Sequence, residues 1–214
     1  MVDQSRETMK TLSTRGAALS ELMAGQETYL PPELASHYGA ADAGWIEQDG
    51  ETYGGLLTHG SFLTVYALSD GSSPVHRGVA VRERMLCEPL PPPPANLDTS
   101  PPAADADGTT REKYTVHSSL PECASCHDLI DPIGFGFENY DHLGRYREEE
   151  VGQPVDATGA VDGVTFDGAQ DLAEVLLDDP RFRACYVETW RRWGMGTESC
   201  ANDEGDVGLL EPLR

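Results

Sequence analysis

The sequence predicts a mainly α fold with short β pieces, arranged as two parts joined by a proline-rich linker. Three observations predict it. Apolar residues recur at helical spacing near both ends: Met9, Leu12, Leu19, Leu22 and Met23 early, and Phe182, Cys185, Tyr186, Trp190 and Trp193 late. Strand signals are brief and flank Asp-Gly turns, at Asp49-Gly50 and Asp162-Gly163. Between Glu88 and Asp107 the composition shifts to proline, alanine and aspartate.

Taken in order, the pattern from Met9 to Met23 predicts an amphipathic helix that stops near Gly25. Pro31, Pro32, Glu33 and Leu34 open a short helix with Gly39 as its stop. Trp45-Ile46-Glu47 and Thr52-Tyr53 are expected to pair as a small hairpin about Asp49-Gly50. Leu56 to Leu68 reads as a buried run, with helix preferred over strand. Ser73-Pro74 is an N-cap and first-turn pair for a helix reaching about Cys87. Pro91 to Pro94 then favours polyproline II geometry, a stiff spacer.

In the second part helices are expected at Thr110 to His117, Cys123 to Leu129 and around Phe135 to Leu143. Extended pieces follow from Val155 to Phe166, then two more helices. The last is the best defined: Asp179 caps it and Pro180 takes its first turn.

Composition narrows function. Fifteen Lys and Arg against thirty-seven Asp and Glu give a formal charge of −22. Phosphate repulsion then makes nucleic acid a poor partner, and the charge suits either simple solubility or a cationic redox partner. No membrane span is present, and Met1 to Ser20 has no apolar signal-peptide core.

The chemistry concentrates in Cys123-Ala124-Ser125-Cys126-His127. C-x-x-C-H is the pattern at which haem is attached in c-type cytochromes: two thiols add across the porphyrin vinyls, and the next residue presents an imidazole to the iron. The alternatives are a redox dithiol and half of a zinc site. The first wants a preceding strand, and the second a nearby second ligand pair; neither is present in the sequence, where Cys87, Cys185 and Cys200 stand apart. The stretch from Asp128 to Asp141 is apolar, aromatic and glycine-containing, as a porphyrin pocket needs. Pro132 lies where a nearby carbonyl could accept a hydrogen bond from His127. Phe135 and Trp190 are the candidate ring-packing residues, although Trp190 also reads as plain helix core.

Residues Cys123 to Arg147, CASCHDLIDPIGFGFENYDHLGRYR, closely resemble the haem-site signature of planctomycete-type cytochrome-associated domains of unknown function, families 1588 and 1585. Gly54 to Pro94, with GGLLTHGSFLTVYA, SSPVHRGVAVRERMLCEPL and PPPP, resembles the start of the 1588 region. Glu27 to Gly39 resembles the tail of a 1592 domain, and Pro154 to Gly168 with the following helix resembles 1585. The resemblance implies a small helical c-type cytochrome-like haem domain at the C-terminal end of a larger exported protein. Residues 1–45 would then be the helical tail of a preceding domain, and residues 46–108 the first half of the haem-associated region, including a linker at 88–108. Residues 109–214 would be the haem-binding domain with its C-terminal helices. Further chain would precede Met1, and covalent haem attachment would place the protein in the periplasm or otherwise outside the cytoplasm.

One haem c with its iron is therefore the expected cofactor, with Cys123, Cys126, His127, Pro132, Phe135 and Trp190 as its contacts and His127 as proximal ligand. For the opposite axial position the sequence offers Met195, His59, His76 or no protein ligand. His142 is badly placed, sharing the proximal side, and His37 and His117 read as exposed. A Met195 ligand would be clamped by a Cys185–Cys200 disulfide, the more economical pairing, which leaves Cys87 over; the alternative is Cys87–Cys185 across the two parts. A ligand from His59 or His76 would close both parts over one haem, with the proline-rich segment as strap. Three function classes follow: an electron-transfer module, a haem peroxidase-like enzyme with an open distal site, and a zinc-stapled interaction domain.

Overall fold

A computed structural model describes residues 1–93, 99–103, 107–118 and 121–195, without the side chains of residues 116, 117, 121 and 122. Its helices dominate, and its strands form only two-stranded antiparallel pairs. Among the described residues no helix is long and apolar enough to cross a membrane.

The first amphipathic stretch is broken into two helices, α1 (Val2–Thr14) and α2 (Leu19–Ala24). Gly16, between them, sits at a φ of +72°, a left-handed turn that only glycine takes without strain. The turn lets Leu12 and Met23 both reach the interior. Strand β1 (Glu27–Leu30) pairs with β2 (Gly44–Glu47), placing Thr28 opposite Ile46. Trp45 to Glu47 thus finds a partner upstream, not the Thr52-Tyr53 segment expected from the sequence. The reason is Asp49, whose Oδ1 accepts from the amides of Glu51, Thr52 and Tyr53 and curls the chain away from a hairpin.

The run from Leu56 to Leu68 becomes a 3-10 turn (Leu56–Thr58) and α3 (Gly60–Val65), with Leu57 and Leu63 fully buried. Helix α4 (Pro74–Ala80) starts where predicted: Ser73 Oγ accepts from the His76 amide at 3.2 Å. It runs on through a π-turn (Val81–Met85) towards Cys87. Helix α5 (Thr110–Ser118) leads into α6 (Pro121–Gly134), which includes the C-x-x-C-H residues and runs five residues past the expected end at Leu129.

The helix expected around Phe135 to Leu143 does not form beyond a 3-10 turn (Phe135–Phe137). Arg77, fully buried, explains why. Its guanidinium donates to the carbonyls of Phe137, Tyr140 and Asp141 and to that of Leu63, at 2.8–3.1 Å. Those carbonyls are drawn towards one cation and out of a helical ladder. Strands β3 (Glu149–Glu150) and β4 (Gln153–Pro154) form a minimal pair. The predicted hairpin about Asp162-Gly163 is present, as β5 (Thr158–Val161) and β6 (Val164–Asp167). Both turn residues have positive φ, as a two-residue hairpin requires. Helices α7 (Gly168–Asp178) and α8 (Pro180–Met195) complete the described chain.

One buried cluster draws on all three stretches delimited in the sequence: Met23, then Leu57, Leu63 and Val81, then Ile133, Phe137, Leu172 and Phe182. The aromatic face of α8 joins it only at its start. Phe182 and Cys185 are buried, whereas Trp190, Trp193 and Met195 are exposed.

Candidate functional site

Helical spacing places Cys123, Cys126, His127 and Ile130 on one face of α6. That face lines a hollow of about 710 Å3 whose lining is largely apolar. Helix α4 and its π-turn supply the adjoining wall through Val75, His76, Val79 and Glu83. Leu90 to Pro93 and Thr99 to Pro101 close it from the proline-rich segment.

Two glycines set how α4 and α6 meet. A Cβ on Gly78 would stand 2.1 Å from the Ile130 carbonyl oxygen, and one on Gly134 would stand 1.9 Å from that of Pro74. Backbone therefore lies on backbone, at a closeness that side chains would forbid. The residues flanking these contacts, His76 on one helix and His127 on the other, are thereby brought to one hollow.

Cys123 is buried, Cys126 is half-buried, and both thiols are unbridged. His127 Nδ1 lies 3.0 Å from both carboxylate oxygens of Asp131, one helical turn on. Asp131 is itself buried. The carboxylate accepts the Nδ1 proton, fixing the ring orientation and leaving the Nε2 lone pair as the basic site. This hydrogen bond holds His127 above the usual histidine range, against the burial that pulls it down. The face thus offers two unbridged thiols and an oriented imidazole on a mostly apolar wall.

Asp131 was missed in the sequence, although its i+4 spacing from a histidine on a helix was a usable signal. The carbonyl expected near Pro132 does not take that role. The Pro132 carbonyl instead faces β5, where a Cβ on Gly159 would come within 2.1 Å of it. Pro132 and Phe135 line a different hollow, with Arg111, Gly159 and Phe166. There the Arg111 guanidinium lies over the Phe135 ring, 4.5 Å from its centroid.

The remaining sequence candidates scatter. Trp190 and Met195 lie on the outer part of α8, 43% and 59% exposed, and neither lines the Cys123–His127 hollow. His59 is buried elsewhere, with Nδ1 2.9 Å from Ser5 Oγ and Nε2 3.2 Å from Thr28 Oγ1. Burial pushes its pKa down to about 4. His37 is half-buried rather than exposed, and desolvation, then the nearby Arg145, lowers its pKa. His142 does not line the hollow, and the His117 side chain lies outside the described residues.

The disulfide is Cys87–Cys185, with Cα atoms 5.4 Å apart, which corrects the expected Cys185–Cys200 pairing. The π-turn ends beside α8, close enough for Cys185 to reach Cys87; Cys200 lies outside the described residues. The bridge anchors the chain three residues before Leu90, where the proline-rich wall of the hollow begins. Among the described residues no group of three or more His, Cys, Asp or Glu side chains is disposed to hold a metal ion, which leaves a zinc staple without a ligand set there.

Every residue named as lining the Cys123–His127 hollow falls within residues 53–150, the stretch matched by the family model PSCyt3, a protein of unknown function (DUF1588). Residues 53–150 are thus similar to DUF1588. No curated protein and no solved structure matches the chain. The matched stretch contains α4, α5 and α6 with Arg77, Gly78 and Asp131, and ends before α7 and α8.

Proposed function

We propose that this chain binds one haem c through thioethers from Cys123 and Cys126, with His127 as proximal iron ligand, and serves as an electron-transfer module of a larger exported protein. The single observation that supports it most is the common hollow. Two unbridged thiols with two residues between them and an oriented imidazole line one mostly apolar space. Its volume of about 710 Å3 falls in the range of organic cofactor pockets. The chemistry of that donor set fits a covalently held macrocycle.

Bound haem would supply a one-electron ferric–ferrous couple. The chain's own residues do the rest. Asp131 orients His127 and raises its basicity. Val75, Val79, Ile130 and the prolines would give a bound ring a largely apolar wall, which lowers the local dielectric. The excess of acidic residues, with a formal charge of −22, suits a cationic redox partner by long-range steering. The Cys87–Cys185 bridge favours an oxidising, extracytoplasmic compartment, where haem is also attached. The name PSCyt3 of the matched family agrees with a cytochrome association. Flanking 1592-like and 1585-like segments belong to the same proposal.

A second reading, a peroxidase-like redox enzyme, draws on the buried Asp131 carboxylate at His127. A strongly basic proximal imidazole favours electron release towards a bound oxidant. The test for both begins with protein secreted in a host that matures c-type cytochromes. Its visible spectrum should show haem that acid–acetone does not extract, and the Cys123→Ala/Cys126→Ala double variant should lose it. Covalent haem in the double variant, or none in the wild type, overturns the proposal. A high-spin spectrum that shifts with peroxide selects the enzyme reading.

A further inference from the structure

Haem chemistry at this site turns on what meets the iron opposite His127. We propose that His76 is that second axial ligand, so that the chain is a bis-histidine electron carrier and not an open-site catalyst. The inference rests on the haem c reading above and goes beyond it.

Axial ligands in electron carriers are His or Met. No methionine lines the Cys123–His127 hollow, and Met195, one of the candidates read from the sequence, lies on the outer part of α8. Among histidines with described side chains, only His76 and His127 line it. His59 is excluded by position, being sealed among Ser5 and Thr28 with both ring nitrogens engaged. The other polar groups lining the hollow have different tasks: Tyr114 bonds to Ser73, and Glu83 accepts from the Leu90 amide at 3.4 Å.

The position of His76 is also built. It is the third residue of α4, where its own amide is held by Ser73 Oγ. Two residues on, Gly78 rests on the Ile130 carbonyl, which fixes α4 against the helix bearing His127. Val75 and Val79 flank His76 along the lining of the hollow. An exposed imidazole on that apolar wall is a ready iron ligand, since its nitrogen need not give up a protein partner inside a core.

The test compares spectra and reduction potentials of secreted holoprotein. Wild type should be low-spin in both oxidation states. His76→Ala should keep its covalent haem, lose the low-spin bands, and regain them with added imidazole. His76→Met should stay low-spin with a higher potential, because thioether sulfur favours ferrous iron; it also serves if His76→Ala does not accumulate. A low-spin His76→Ala spectrum without imidazole overturns the assignment, and a parallel His117→Ala variant that turns high-spin then relocates the ligand. A wild type that is high-spin overturns it in favour of the open-site enzyme. Absence of covalent haem in the wild type is a different outcome, since it defeats the underlying reading as well.

Discussion

Gly78 and Ile130 meet backbone to backbone, with the Ile130 carbonyl oxygen 2.1 Å from where a Gly78 Cβ would stand. Neither helix can retreat cheaply, because Ile133 on α6 and Val81 after α4 are both fully buried in the common core. Gly78→Ala should therefore destabilise the protein by about 1–3 kcal/mol, the usual cost of overpacking. Urea unfolding checks this. A midpoint equal to that of wild type would mean that α4 and α6 can slide apart freely.

Cys87 and Cys185 are separated by 98 residues in sequence. Closing a loop of that size limits the unfolded chain, and removal of the bridge should cost about 2–5 kcal/mol. Cys87→Ser should lower the thermal midpoint, and non-reducing peptide mapping should recover a Cys87–Cys185 crosslinked peptide. A crosslink containing Cys200 in place of Cys87 would contradict the fold at the end of the π-turn.

His59 supplies a pH dependence. Its folded-state pKa, pushed down by burial to about 4, lies below the ordinary histidine value near 6.5. Between those values the unfolded chain binds a proton that the folded chain refuses, so stability falls as pH drops from about 6.5 to about 4. The full effect is of order 3 kcal/mol. A His59→Gln variant should lose that component of the acid sensitivity. Chemical denaturation at pH 7 and pH 4.5 checks it, the prediction failing if the two proteins show the same pH slope.

Local signals were the legible ones. Ser73-Pro74 marked the start of α4, Asp162-Gly163 marked the β5–β6 turn, and Pro180 marked the start of α8. What the sequence concealed was tertiary. Nothing near Tyr140 announces that Arg77, 63 residues away, takes its carbonyl. The Trp45 strand signal was real, but its partner was set by Asp49 turning the chain and by β1 waiting upstream. At the site, the C-x-x-C-H residues could be read directly, because their spacing is itself the signal. His76 could only be one candidate among several until the Gly78 and Gly134 contacts brought α4 onto α6. The aromatic periodicity of α8 misled for the same reason: a helical stripe says which residues share a face, not how much of that face is covered.

Asp131 bears most directly on how the proposed haem would be tuned. Its carboxylate meets the Nδ1 proton of His127 from a buried position. A buried anion on the proximal imidazole makes that ligand more basic and stabilises ferric over ferrous iron. In Asp131→Asn a side-chain carbonyl can still accept the Nδ1 proton, so the ring orientation and the covalent haem should survive. Only the charge assistance is lost, a difference of about 1.4 kcal/mol between charged and neutral acceptors. For a one-electron couple that is a rise of about 60 mV in reduction potential. Redox titration of the holoprotein measures it, with the acid–acetone test confirming that the haem remains attached. A potential that stays put or falls would show that Asp131 holds the helix together without tuning the iron.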